Sequence, residues 1–255
     1  MTGSSRTRLC RTFVDRAVQT WRYVDIGARN RLIPGEETLT DINLLEIQGR
    51  HPGAVRIWRF SKWKEGRATG ADWEWWIGGS GWWVGMRVQA KNWRPGTTPK
   101  HLAARLNYRR GQQLQLLLSS SAQDGLFPLY CLYNGRRRWP WLTCPTCQPS
   151  PQAFGCTIVP ATCVASALHS GSGAHILSCC RPWSCLVCGQ CLGFPTGALA
   201  HQIYDSLLPA FETLQFRMSP LREQLPQYIL ALREGAPPER LPDVARLLLI
   251  EEGGE

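Results

Sequence analysis

The sequence predicts a mixed α/β domain with a core running α-β-β-β-α-β, followed by a Cys-rich, partly helical C-terminal elaboration. Three observations carry this. Two Trp- and Val-rich segments flank Gly78-Gly79-Ser80-Gly81 and read as a β-hairpin. Helical patterns stand before and after that hairpin. Nine of the eleven cysteines fall between Cys144 and Cys191, where the composition changes and turn-rich stretches begin.

The elements follow in order. Within residues 1–30, Leu9, Phe13, Ala17 and Trp21 recur every four residues with Val14 and Val18 beside them, which predicts an amphipathic helix packed on the core. A DNA-binding arm is the competing reading of that segment. Glu36 to Arg50 reads as a helix with acids in its first turn and His51-Pro52-Gly53 as its stop. Val55 to Phe60 reads as a strand, and Ala71 to Ile77 and Trp82 to Lys91 as the hairpin. Gly111 to Asp124 is expected to be a helix burying Leu114, Leu117, Leu118 and Ala122, and Phe127 to Tyr133 a buried strand. Beyond Asn134, Thr162 to Leu168, Ala198 to Leu208 and Arg222 to Arg233 read as helices, and Asp243 to Glu252 as a helix or a strand. Seven of the twelve tryptophans lie between Trp63 and Trp93, so most are expected in the core around the hairpin.

The hairpin also carries the candidate chemistry. A symmetric turn centred between Gly79 and Ser80 pairs Asp72 with Arg87 and Trp73 with Met86. Side chains alternate across a strand. One face then holds Ala71, Trp73, Trp75, Val84, Met86 and Val88, and the other Asp72, Glu74, Arg87, Gln89 and Lys91. A carboxylate, an amide and a lysine on one face suit a divalent metal held by hard oxygens, with a cation to stabilise developing charge. Asp72, Gln89 and the Ala90 carbonyl are candidate metal ligands, with Lys91 and Glu74 beside them. Glu36, Glu37 and Asp41 on the upstream helix could add a further acid, and Glu37 is favoured. An ordinary solvent-facing strand is the competing reading.

Gly70-Ala71-Asp72 followed by Val88-Gln89-Ala90-Lys91 resembles the PD-(D/E)XK nuclease superfamily, particularly its Mrr-like branch with a Gln-x-Lys motif. The resemblance spans roughly Glu36 to Asn134 and implies a restriction-endonuclease-like core over residues 31–135, with residues 136–255 as the elaboration. It implies a magnesium- or manganese-dependent nuclease with Asp72, Gln89, Lys91 and Glu37 at its centre, acting on DNA in prokaryotic defence or DNA processing. Gln89 stands where an acid is usual, which leaves an inactive nucleic-acid-binding or zinc-stabilised interaction protein of the same fold as the alternative. Gly35-Glu36-Glu37-Thr38-Leu39-Thr40-Asp41 and Gly70-Ala71-Asp72-Trp73-Glu74-Trp75-Trp76 also resemble an uncharacterised group of bacterial proteins.

A net charge of +10 favours a polyanionic partner. Arg109, Arg110, Arg136, Arg137 and Arg138 are the expected nucleic-acid contacts, the last three followed by Trp139-Pro140-Trp141, which could stack bases, with a solvated loop holding two structural tryptophans as the competing reading. Cutting both strands usually takes two active sites, so a homodimer is expected, and an activating partner protein is left open. No long apolar run or signal-peptide core occurs, so a cytoplasmic protein with no membrane contact is expected. An odd cysteine count then argues against a disulfide framework. Cys144-Pro-Thr-Cys147 and Cys185-Leu-Val-Cys188 have the spacing of two halves of a structural zinc site, while ordinary buried thiols are the competing reading.

Overall fold

The computed structural model describes residues 3–60, 68–79, 81–93, 98–106, 112–135, 150–188, 191 and 198–253. Its centre is an eight-stranded mixed sheet. The expected order appears as α2 (Glu36–Arg50), β1 (Val55–Arg59), β2 (Trp73–Gly79), β3 (Trp82–Trp93), α4 (Gln112–Asp124) and β4 (Phe127–Asn134), with one helix the sequence did not predict, α3 (Pro99–Leu106), between β3 and α4. Helix α1 (Gly3–Arg29) precedes them. In space the strands run β1-β8-β2-β3-β4-β5-β6, where β5 is Cys156–Pro160, β6 is Arg181–Pro182 and β8 is Arg246–Glu251. The C-terminal strand therefore slots between β1 and β2, antiparallel to the first and parallel to the second. Leu247, Leu248, Leu249 and Ile250 are all buried there. A continuous apolar run is what a parallel strand covered on both faces needs. Strands β5 and β6 extend the opposite side, so the C-terminal residues complete the same sheet.

Helices cover both faces. Leu9, Phe13 and Ala17 of α1, with Leu39, Leu44 and Ile47 of α2 and Ile203 of α7 (Leu199–Leu207), pack on Trp73, Trp75, Val84, Met86 and Val88. Leu102 and Leu106 of α3, Leu114 and Leu117 of α4, and Val164 of α5 (Ala161–Ser170) pack on Tyr130, Leu132 and Val159 from the other side. So α1 is packed on the core rather than projecting as an arm. Among the described residues no helix is long and apolar enough to cross a membrane.

The hairpin faces are as expected, but the pairing differs by two residues. Trp73 faces Val88, Glu74 faces Arg87 and Trp75 faces Met86. A shift of two keeps each side chain on its face, whereas a shift of one would not. Ala71 departs from the alternation: it precedes β2 and packs with Tyr130 and Trp93 in the second cluster. The expected helix from Arg222 is also shorter. Leu221–Arg222 forms β7 against β3, and only Gln227–Arg233, after Pro226, is helical as α8. The cysteines give the largest correction. Cys10 is joined to Cys188 and Cys163 to Cys179 in disulfides. The fold brings Cys10 of α1 to a partner 178 residues away, which counting along the chain could not show.

Burial makes a pH prediction. Burial raises the acid groups of Cys131, Tyr133 and Tyr228 well above their ordinary values, pushes Cys156 up to about 12, and raises Cys180 and Tyr130. Unfolded thiols and phenols ionise near 9.0 and 10.0, so above those values the folded chain holds more protons than the unfolded one. Stability must then fall as pH rises. The urea midpoint should be steady near neutrality and decline progressively above about pH 8.5. Tyr130, Tyr133 and Tyr228 should stay protonated, read by phenolate absorbance, until the chain unfolds.

Candidate metal centre at the end of the hairpin

The candidate site lies where β2 stops and β3 runs on. Asp72 precedes β2, and its backbone is held on both sides: its N–H donates to Val88 O (2.9 Å) and its carbonyl accepts from Ala245 N (3.0 Å). Beyond this point β3 has no β2 neighbour. The Asp72 carboxylate takes the vacated ladder position, accepting from Ala90 N–H at 2.7 Å. Gly70 makes the approach possible. It has φ +69, and a Cβ there would lie 2.5 Å from the Gln113 carbonyl of α4. Only glycine tolerates both the left-handed backbone and that contact. The Gly-x-Asp spacing thus sets Asp72 beside β3 and the start of α4 beside both.

Gln89 is buried at 2 % exposure, and its whole amide is engaged. Nε2 donates to Asp72 Oδ2 (2.6 Å) and to its neighbour's carbonyl, Ala90 O (3.1 Å), while Oε1 accepts from Gln113 Nε2 (2.7 Å). Gln113 Oε1 is buried with no hydrogen-bond partner. The two amides are therefore in a protein-closed arrangement that leaves one acceptor unsatisfied. Turning both by half a rotation reverses the one bond between them. Gln89 Nε2 then donates to Gln113 Oε1, and Gln89 Oε1 faces Asp72 Oδ2 and Ala90 O. Amide orientations are interchangeable in shape and differ only in partners. The turned state gathers three oxygens with no proton between them, which a hard divalent cation satisfies.

Lys91 and Glu36 complete the cluster. Lys91 lies two residues along β3 from Gln89, on the same face, with Nζ 3.9 Å from Glu36 Oε2. Glu36 Oε1 accepts from Asn92 N–H (2.8 Å), and Asn92 Nδ2 donates to Pro34 O (3.0 Å), so the start of α2 is tied to the end of β3. Tyr130, opposite Gln89 on β4, has its phenol raised by burial and then by the Asp72 charge, which keeps it neutral.

Other expected residues lie elsewhere. Glu37 is exposed, and the ion pair to Lys91 comes from its neighbour Glu36. Asp41 pairs with Arg246 (2.5 Å) and Arg59 (3.3 Å). Glu74 is fully buried in a separate network: Arg87 donates to it from Nε (3.0 Å) and Nη2 (2.7 Å), and Tyr228 from its hydroxyl (2.6 Å). Burial opposes the charge of Arg87, but Glu74 and Asp124 outweigh it and raise its pKa. Arg109, Arg110, Arg136, Arg137, Arg138, Cys144 and Cys147 lie outside the described residues. Cys185 is buried, and Cys188 is committed to Cys10, so the Cys185-x-x-Cys188 pair does not form half a zinc site in this structure. A different group, Cys163, His175 and Cys179, has ligand atoms within 4.8 Å of one another, close enough to hold a metal ion once the Cys163–Cys179 disulfide is reduced.

A family model matches residues 9–255, almost the whole chain. The chain belongs to DUF6615, a family of unknown function. Neither a curated protein nor a solved structure matches the chain of this DUF6615 protein. Gln113 is absent from the motif that marks the hairpin, and it had one signal in the sequence. It stands four residues before Leu117 and eight before Ser121, both fully buried, on one row of α4. A polar residue on a buried row needs a partner.

Proposed function

We propose that this DUF6615 protein is a divalent-metal-dependent nuclease of the PD-(D/E)XK type, acting on DNA. The observation that carries the reading is the meeting of Asp72, Gln89 and Lys91 at the open end of the hairpin, with Glu36 beside the lysine. Asp72, the turned Gln89 amide and the Ala90 carbonyl would hold Mg²⁺ or Mn²⁺, whose chemistry is to polarise a phosphate oxygen and acidify water. Lys91 contributes a positive charge beside the phosphate, where negative charge grows. Glu36 orients that ammonium and limits its reach. The net charge of +10 favours capture of a polyanion. Nicking of supercoiled plasmid that needs Mg²⁺ or Mn²⁺ tests the reading.

One observation favours a second reading, an inactive nucleic-acid-binding member of the same fold: Gln89 turns Nε2, not Oε1, toward Asp72. Gln113 distinguishes the two. Gln113→Leu removes the acceptor that the turned Gln89 needs, and Mn²⁺ binding measured by calorimetry should weaken about tenfold or more, as outer partners of metal ligands do. Gln113→Glu supplies an acceptor only, which forces Gln89 Oε1 toward Asp72, and Mn²⁺ binding should be retained or tightened. Salt-sensitive DNA binding with no Mn²⁺ binding in any variant would select the second reading.

A further inference from the structure

We propose that Cys163, His175 and Cys179 form a redox-gated zinc site, closed by the disulfide when oxidised and taking one Zn²⁺ when reduced. The site is independent of the Asp72 centre and of the function proposed for it. Its frame is a helical hairpin. Helix α5 ends at Gly171, in the left-handed conformation at φ +66, and α6 (Ala174–Cys179) returns against it. Cys163 projects from α5 at 8 % exposure. His175 and Cys179 are four residues apart on α6, so they share one face.

The spacing suits zinc. Zn–S and Zn–N bonds of about 2.3 and 2.0–2.1 Å put tetrahedral ligand atoms roughly 3.3–3.8 Å apart. His175 Nε2 already stands 4.0 Å from Cys179 Sγ, and all three ligand atoms lie within 4.8 Å of one another. Reduction lets the two sulfurs separate to that distance without moving either helix far. The imidazole adds a third ligand atom beside the two sulfurs, and two thiolates with an imidazole are a soft set that selects zinc over magnesium or manganese. Cys180 is next in sequence but takes no part: burial raises its thiol, which stays protonated inside the core. His175 is exposed, so the fourth position faces water.

The electron count is closed by a dithiol. A dithiol reductant gives two electrons and two protons to the Cys163–Cys179 disulfide, leaving two thiols and its own disulfide. Zinc uptake then releases those two protons as two S–Zn bonds form. A disulfide oxidant reverses the sequence: it takes two electrons from the thiolates, the S–S bond reforms and zinc leaves.

The test uses the full chain. Zinc bound per chain is measured by mass spectrometry after anaerobic reduction, desalting and equilibration with Zn²⁺, and again after oxidation by diamide. Other cysteines can also take zinc, so the readout is a difference between variants. The reduced native chain should hold one more equivalent than the Cys163→Ser/Cys179→Ser variant, and oxidation should remove that equivalent. His175→Ala leaves the disulfide and the core intact. It should weaken the same equivalent about tenfold or more against a chromogenic chelator, since loss of a ligand exceeds loss of a ligand's partner. With Co²⁺, the native chain should show thiolate charge-transfer absorption that the double variant lacks. Equal zinc in the reduced native and double-variant chains would overturn the proposal, as would native-strength binding in His175→Ala.

Discussion

Lys91→Ala and Asp72→Ala are each expected to reduce Mg²⁺-dependent cleavage by about 10²–10³-fold or more, the scale of losing one preorganised electrostatic partner. They should do so by different routes. Asp72 supplies the carboxylate that touches both Gln89 and Ala90, so Asp72→Ala removes an oxygen from the proposed metal set and leaves Ala90 N–H without its side-chain acceptor and Gln89 Nε2 with one fewer. Mn²⁺ binding should disappear with activity, and stability should drop by about 1–3 kcal/mol, the usual cost of orphaned buried donors. Lys91 holds no metal. It faces Glu36 across 3.9 Å and is part-exposed, so Lys91→Ala should keep Mn²⁺ binding within about threefold and lose little stability. Single-turnover nicking, calorimetry with Mn²⁺ and a urea titration on each variant separate the two roles. Native cleavage by Lys91→Ala would refute this centre, because no other described cation replaces Lys91 beside Gln89 and Glu36.

How legible this centre is in the sequence depends on what each residue needs. Asp72, Gln89 and Lys91 are readable because strand alternation is insensitive to a register shift of two. Their true pairing is not, because the turn begins and ends inside a run of glycines that permits several closures. The place of Glu36 is hard to read in the sequence for a physical reason. Glu36 continues the buried row Thr40, Asn43 and Ile47, but two of those residues are polar. Thr40 is buried by its hydrogen bond to Tyr133 and Asn43 by bonds to Thr20 and Arg16, so an apolar stripe could not reveal the row. Strand β8 is ambiguous because four consecutive apolar residues fit a buried strand or a buried helix. Its neighbours, β1 and β2, are far away in sequence. The Cys10–Cys188 disulfide is illegible for the same reason.

Arg87→Ala and Glu74→Ala should be more destabilising than any substitution at the metal centre, each costing about 3–5 kcal/mol, because each takes from a buried charge its closest opposite charge. For a chain of this size that lowers the melting temperature by roughly 6–20 °C. The network leaves only Arg87 Nη1 without a hydrogen-bond partner among its described charged groups. Glu74 receives both Arg87 and the Tyr228 hydroxyl, and Arg87 also reaches Asp124 at 2.7 Å. It thereby ties β2 and β3 to the last residue of α4 and to α8. Burial first, and then the Glu74 charge, raises Tyr228 well above an ordinary phenol, so it remains a donor. Tyr228→Phe should accordingly cost about 1.5–3 kcal/mol, the worth of a hydrogen bond to a charged group. Glu74 shares a strand face with Asp72, which is why spacing alone makes it a catalytic candidate. Its partners argue otherwise: its carboxylate is held by Arg87, Tyr228 and Trp76. A Tyr228→Phe variant should therefore melt early yet cleave at the native rate per folded molecule, measured well below its transition. A cleavage loss comparable to that of Asp72→Ala, in a protein still folded, would instead place the Glu74 carboxylate in the reaction and make the buried network part of the catalytic centre.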